Sequence, residues 1–206
     1  MLFAPHIHLH ALPTWVDRAA WALGTLALWA LAWKGWHRRR ASLPRYAPGA
    51  PAQPRVYYAR GPEGLETGLG GSINVEMFEA MGIRHVAAGL QGGLATVSIE
   101  QVLGWDPEVI VTIDQTFAQT VATNPLWRGV SAVKSGRVHL SPKLPFGWID
   151  FPPSVNRLPG LWWLGSKVFP SLFPEDLATL TRDFYKLFYQ VDLSAAQVQR
   201  VLAGRS

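Results

Sequence analysis

The sequence from residue 54 onward predicts a three-layer α/β domain, in which a mostly parallel sheet is flanked by helices and followed by C-terminal helices. Three observations predict this fold class. Short β-rich runs alternate with segments of helical spacing, and residues 108–113 contain a continuous apolar run of the kind buried on both faces of a parallel sheet. Hydrophobic residues make up 49% of the chain, which is enough for a core and excludes a disordered composition.

The predicted strands cover residues 55–60, 85–88, 108–113 and 137–141, and the one at 85–88 is weak. Helices are predicted at 73–81, with Ser72 as the capping residue, and at 116–123 and 161–168. Two capping boxes, Ser98 to Gln101 and Ser194 to Gln197, indicate two further helix starts. One more helix carries an apolar stripe of Leu177, Leu180, Phe184, Leu187 and Phe188.

Residues 1–53 differ in character from the predicted domain. The run at 19–33 is 15 residues long without a charge, whereas a spanning helix needs about 20. Lys34 and Arg38 to Arg40 follow it, so the positive-inside rule predicts that this side lies in the cytoplasm. Export of the chain is therefore disfavoured. We expect a signal-anchor, an amphipathic surface segment or a stretch with no selected structure, followed by a Pro-rich linker at 44–54. His6, His8 and His10 alternate and on a strand could grip a metal, with a solvated N-terminus as the alternative.

Charge and composition exclude several classes of function. The net charge is +5, but the dense basic cluster directly follows the apolar run, which indicates a membrane flank rather than a nucleic-acid footprint. The chain has no cysteine, which excludes disulfides, thiolate metal sites and cysteine nucleophiles. It also lacks the Gly-x-Ser-x-Gly and His-Glu-x-x-His motifs, so we predict no enzymatic activity, no cofactor and no resident metal.

Three loops carry the candidate binding residues, because ligands of parallel sheets bind beyond the C-terminal ends of the strands. The first loop covers residues 61–68, the second 89–98 and the third 142–154. Arg60 ends the first strand on the same face as Tyr58, and a guanidinium is a natural partner for an anion. Trp148, Asp150 and Arg157 lie on or after the third loop, where an aromatic could cover a flat chelate and a charged pair could match a charged complex. The alternative is structural: Trp148 packs under the loop and Asp150 pairs with Arg157.

The order of these motifs resembles the C-terminal half of the cluster III periplasmic binding proteins. The resemblance covers about residues 54–203 and is carried by Gly64 to Gly68, Val97 to Leu103, Trp105 to Val111, Pro145 to Trp148 and Pro152 to Ser154. It implies a substrate-binding component of an ABC importer, with permease subunits as partners and a periplasmic or membrane-associated location. The implied ligand is a ferric siderophore, cobalamin or haem, or an oxyanion such as molybdate.

The resemblance also implies a role for Glu100, which matches the glutamate that docks onto a permease arginine. An exposed carboxylate in a first helical turn suits such an interface, although a plain solvated glutamate is the alternative. Residues 1–50 show no counterpart of the family's N-terminal lobe, so we expect a truncated chain whose ligand binding is weak or undetectable. A membrane-anchored α/β interaction domain is the other function considered, with membrane contact through residues 19–33.

Overall fold

The computed structural model describes residues 53–90, 92–150 and 152–204. The strands are β1 (Val56–Ala59), β2 (Glu66–Gly68), β3 (Leu94–Thr96), β4 (Val109–Thr112) and β5 (Val138–Leu140). The α-helices are α1 (Glu76–Ala80), α2 (Ile99–Trp105), α3 (Gln115–Thr120), α4 (Ser131–Lys134), α5 (Arg157–Val168), α6 (Leu177–Tyr189) and α7 (Ala195–Leu202). Short 3-10 helices cover Pro125–Trp127 and Pro170–Leu172. The expected signal-anchor, histidine cluster and linker at residues 1–52 lie outside the described residues.

The central sheet is parallel, in the order β1-β4-β5. Val56 lies opposite Val109, and Thr112 lies opposite Leu140, so the carboxyl ends of all three strands reach one edge of the sheet. The predicted strand at 85–88 is reduced to a single parallel bridge between His85 and Val56.

Helices cover both faces of this sheet, as predicted. On one face Tyr57 and Ile110 pack in a buried cluster with Val102 of α2 and Phe117 of α3. On the other face the ring of Tyr58 lies 5.4 Å from that of Phe78 in α1. The period-two alternation of strand side chains explains why neighbouring tyrosines belong to opposite layers.

Local sequence signals determine several helix boundaries. Both predicted capping boxes are present, with Ser98 and Ser194 each accepting from the backbone three residues on. Pro159 lies in the first turn of α5, where its missing N–H removes no helical hydrogen bond. The predicted Ser72 cap is wrong: α1 begins later, after Val75, and the buried Ser72 hydroxyl has no hydrogen-bond partner.

The first and second loops pair with each other through a two-stranded antiparallel ribbon. Glu66 of β2 lies opposite Thr96 of β3, and Gly68 lies opposite Leu94. Arg60 also forms an antiparallel bridge with Glu66, which connects the end of β1 to the ribbon. Both segments were predicted as irregular, so this pairing was not foreseen.

No helix of the described residues is long and apolar enough to cross a membrane.

Candidate functional site

A cavity of about 100 Å³ lies at the carboxyl edge of the parallel sheet. Its lining residues come from the segments that follow β1, β4 and β5, and are Arg60, Ile113, Ser141, Pro142, Lys143 and Gly147. This is the position at which α/β sheets bind ligands. Two of the six lining residues are cations, so the cavity favours an anion.

Arg60 reaches the cavity because strand alternation places it on the same face as Tyr58. Its side chain is 16% exposed, and its Nε lies 3.5 Å from Oδ2 of Asp150. This Nε has no hydrogen-bond partner among the described residues. Arg60 therefore lies at the cavity with an ion-pair partner behind it.

Asp150 is 4% exposed and has its hydrogen bonds supplied by neutral groups. The Tyr58 hydroxyl donates to Oδ2 at 2.8 Å. The Asn74 carboxamide either accepts from Arg60 Nη1 at 3.3 Å or, turned over, donates to both Asp150 oxygens at 2.9 and 3.2 Å. The second orientation satisfies a buried carboxylate better, because that group accepts only.

Tyr58 acts as a hydrogen-bond donor at neutral pH. Burial is the largest cause, followed by the neighbouring Asp150 carboxylate, and together they raise the pKa of Tyr58 well above its ordinary value. The phenol therefore keeps its proton and donates a hydrogen bond to the Asp150 carboxylate.

Trp148 is fully buried beneath the third loop. Its Nε1 donates to the carbonyl oxygen of Leu144 at 3.2 Å. In this conformation the indole packs under the loop, which is the structural alternative considered from sequence, and it presents no face to the cavity. Its contact with a ligand stays a prediction.

Arg157 and Asp150 are not partners, so the predicted pair is wrong. Nη2 of Arg157 lies 3.0 Å from Oε2 of Glu76 in α1. Arg157 begins α5, and Glu76 is at the start of α1, so the pair joins two helix starts on one face of the sheet. Nor does Arg157 line the cavity described above, and its ligand contact also stays a prediction.

The carbonyl of Leu144 is the point at which the third loop is held. It accepts from Trp148 Nε1, from Asn156 Nδ2 at 3.1 Å and from the Tyr185 hydroxyl. Asn156 Nδ2 also donates to the Phe146 carbonyl at 2.9 Å, and Asn156 Oδ1 accepts from the Tyr189 hydroxyl at 2.6 Å. Side chains from α6 and from the residue before α5 thus fix the loop that carries Lys143 and Gly147.

Glu100 is exposed in the first turn of α2. Hydrogen bonds from its own backbone N–H and from the Ser98 side chain hold the pKa of Glu100 below its ordinary value. The carboxylate is therefore charged at neutral pH. Leu103, one turn along the same helix, is 40% exposed, so the surface offers an apolar residue beside the charge.

Sequence reasoning missed three residues of this arrangement, Asn74, Ser141 and Lys143, and the direct contact of Tyr58 with Asp150. Ser141 and Lys143 had a usable signal, since Ser141 ends a predicted strand and Lys143 lies two residues after it. Asn74 had none, because its role depends on a contact with Asp150 that is remote in sequence. Within the described residues no group of three or more His, Asp or Glu side chains could hold a metal ion.

Known proteins resemble this chain in sequence and in fold. Residues 44–144 match the family model described as periplasmic binding protein. The molybdate-binding protein MolA of Haemophilus influenzae is 31% identical over 117 residues, which are 55% of this chain and 33% of that protein.

Two solved structures share both fold and sequence with the chain. An ABC transporter solute binding protein from Sulfurospirillum deleyianum has a TM-score of 0.75 and 34% identity, over 83% of this chain and 52% of that one. The molybdate-bound structure of Haemophilus influenzae MolA has a TM-score of 0.64 and 27% identity, over 79% of this chain and 50% of that one.

Both similar proteins are described as binding proteins, in agreement with the sequence-based prediction of a binding function. This chain covers about half the length of the solved relatives and a third of the curated one. The described residues are therefore similar, in fold and in sequence, to one lobe of a periplasmic binding protein.

Proposed function

We propose that this lobe is the cargo-binding half of a periplasmic substrate-binding component of an ABC importer, and that its cargo is a small anion of the oxyanion class. The single observation that carries the proposal is the cavity at the carboxyl edge of the sheet, with Arg60 and Lys143 among its six lining residues. Arg60 lies 3.5 Å from Asp150, which accepts a hydrogen bond from the Tyr58 hydroxyl, so a ligand would meet a guanidinium with a fixed ion-pair partner.

The cationic lining of the cavity favours a small anion over the larger chelates considered from sequence. Trp148 is buried and offers no surface for a flat macrocycle. The relationship to MolA, which is described as molybdate-binding, supports the same choice. Because one lobe buries only part of a ligand, we expect weak binding by this chain alone.

Calorimetric titration of the full chain tests the proposal. The ligands are molybdate, ferrichrome, cyanocobalamin and haem, and the variant is Arg60→Gln. A charge-assisted hydrogen bond contributes about 1.5–3 kcal/mol, so the variant should lose roughly ten- to hundredfold in affinity for molybdate.

Arg84→Gln is the matched control. Arg84 is exposed at the opposite end of β1, where its carbonyl accepts from the Val56 N–H, so the same charge is removed far from the cavity. We expect molybdate affinity in this control within twofold of the wild type. Absence of molybdate binding, or tight binding of a chelate that Arg60→Gln leaves intact, would overturn the proposal.

A further inference from the structure

Three charged side chains lie at the cavity or directly behind it, and their charges do not sum to zero. Arg60 and Lys143 line it, and Asp150 lies 3.5 Å behind Arg60. Two cations and one carboxylate leave a net charge of one positive unit. Because Asp150 is 4% exposed, solvent screens its charge poorly, and a ligand in the cavity experiences it.

The hydrogen bonds of Asp150 show that it is more than a simple ion-pair partner. Its acceptor capacity is met by the Tyr58 hydroxyl and, in the favoured orientation, by the Asn74 amide. Arg60 Nε, by contrast, makes no hydrogen bond at the 3.5 Å separation. The carboxylate is therefore fixed by neutral donors at a short distance from the guanidinium, and acts on it and on the cavity through charge.

We propose that Asp150 is a specificity-determining residue: with Arg60 and Lys143 it forms a charge set in which the negative charge of Asp150 disfavours doubly charged anions more than singly charged ones. The inference rests on the proposed function, since it presupposes that an anion occupies the cavity. Asp150 lowers the attraction for each negative charge on the ligand, so the effect is larger for a dianion.

A pair of isosteric anions separates ligand charge from ligand shape. Molybdate and perrhenate are both tetrahedral tetraoxo anions, with charges of minus two and minus one at pH 7.5. The measured quantity is the ratio of their dissociation constants, by calorimetry on the full chain at one fixed ionic strength. Relative to molybdate, perrhenate should bind better to the wild type than to Asp150→Asn. In that variant the ratio of the two dissociation constants should change by about tenfold in favour of molybdate.

Two further variants complete the design. Asp183→Asn is the matched control, because it makes the same substitution at an exposed aspartate of α6 and changes the net charge of the protein equally. Its ratio should equal that of the wild type. Lys143→Gln removes a cation from the exposed rim of the cavity and should move the ratio toward perrhenate.

The outcomes distinguish this inference from the proposed function. If the wild type binds neither anion, both are overturned. If the wild type binds and Asp150→Asn changes both affinities by the same factor, Asp150 is merely structural and only the inference fails. If Asp150→Asn does not fold, as judged by its thermal transition, Lys143→Gln decides: a shifted ratio supports the charge set, and an unchanged ratio overturns it.

Discussion

Gly160 of α5 lies directly against the backbone carbonyl of Trp148. A Cβ atom on this glycine would be 2.0 Å from that oxygen, which is far inside van der Waals contact. The carbonyl belongs to the third loop, so the close approach of α5 determines how deeply the loop sits against the domain. Glycine at position 160 is therefore a packing requirement of the candidate site.

Replacing this glycine should destabilise the protein even though alanine favours helices. Overpacking costs about 1–3 kcal/mol, and it opposes a gain of about 1 kcal/mol in helix propensity. We expect Gly160→Ala to lower the free energy of unfolding, measured by urea denaturation. Gly104→Ala in α2 is the control, because a Cβ there meets nothing within 4 Å, and stability should be unchanged or higher. Equal stabilities would mean that the loop moves away from α5 without penalty.

The elements that sequence predicted well are those specified locally. The capping boxes at Ser98 and Ser194 depend on contacts three residues apart, and both are present. The apolar run of β4 identifies a strand buried on both faces, which the structure confirms. Alternation along β1 placed Tyr58 and Arg60 on one face, and both contact Asp150.

The elements that sequence missed depend on contacts between distant segments. Pairing Asp150 with Arg157 was natural because they are close in sequence, yet the folded partner is Arg60, from another strand end. The ribbon of β2 and β3 has three residues per strand and a long intervening segment, so neither strand has a local pattern long enough to predict it. Trp148 reads as a loop aromatic until the third loop folds over it.

Asn156 holds the third loop through donors that an aspartate would lack. In Asn156→Asp a carboxylate oxygen would face the Leu144 and Phe146 carbonyls, which now accept from Nδ2. We expect a loss of about 3 kcal/mol or more in unfolding free energy, since buried like-signed acceptors would be unsatisfied. Faster hydrogen exchange at the Trp148 amide, which donates to the Pro142 carbonyl, should accompany it.

The same substitution at Asn124 provides the comparison. Asn124 uses only its Oδ1, which accepts from the Leu126 N–H at the start of a 3-10 helix, and a carboxylate accepts equally well. Stability of Asn124→Asp should stay within about 0.5 kcal/mol of the wild type. If both variants were equally stable, Asn156 would not be holding the loop.

Glu100 offers a charged surface on which a partner could dock. We expect Glu100→Lys to weaken association with the cognate permease complex in nanodiscs, chiefly through a slower on-rate and a weaker salt dependence. Folding should be unaffected, because the side chain is exposed. Asp183→Lys reverses another exposed carboxylate and should leave association unchanged. Equal association for the two variants would assign Glu100 the role of a solvated helix residue.

His85 should make the protein acid-sensitive above the range in which its carboxylates titrate. It is 4% exposed, and burial lowers its pKa to about 4 from an ordinary 6.5. As the pH falls from 6.5 to 4, His85 therefore binds a proton in the unfolded chain but not in the folded protein. The free energy of unfolding therefore decreases as the pH falls through this window, by about 3 kcal/mol for the full pKa shift.

Urea denaturation at pH 7 and pH 5 measures this effect. The carboxylates Asp106, Asp176 and Glu100 have pKa values held below their ordinary ones by hydrogen bonds, so they lose their contribution at lower pH. The difference between the two pH values should shrink in His85→Leu, which fills the site without a titrating group. Burial likewise lowers the pKa of His139 to about 4, so His139 accounts for the pH dependence of stability that remains in His85→Leu. An undiminished difference in His85→Leu would show that His85 takes up its proton in the folded state.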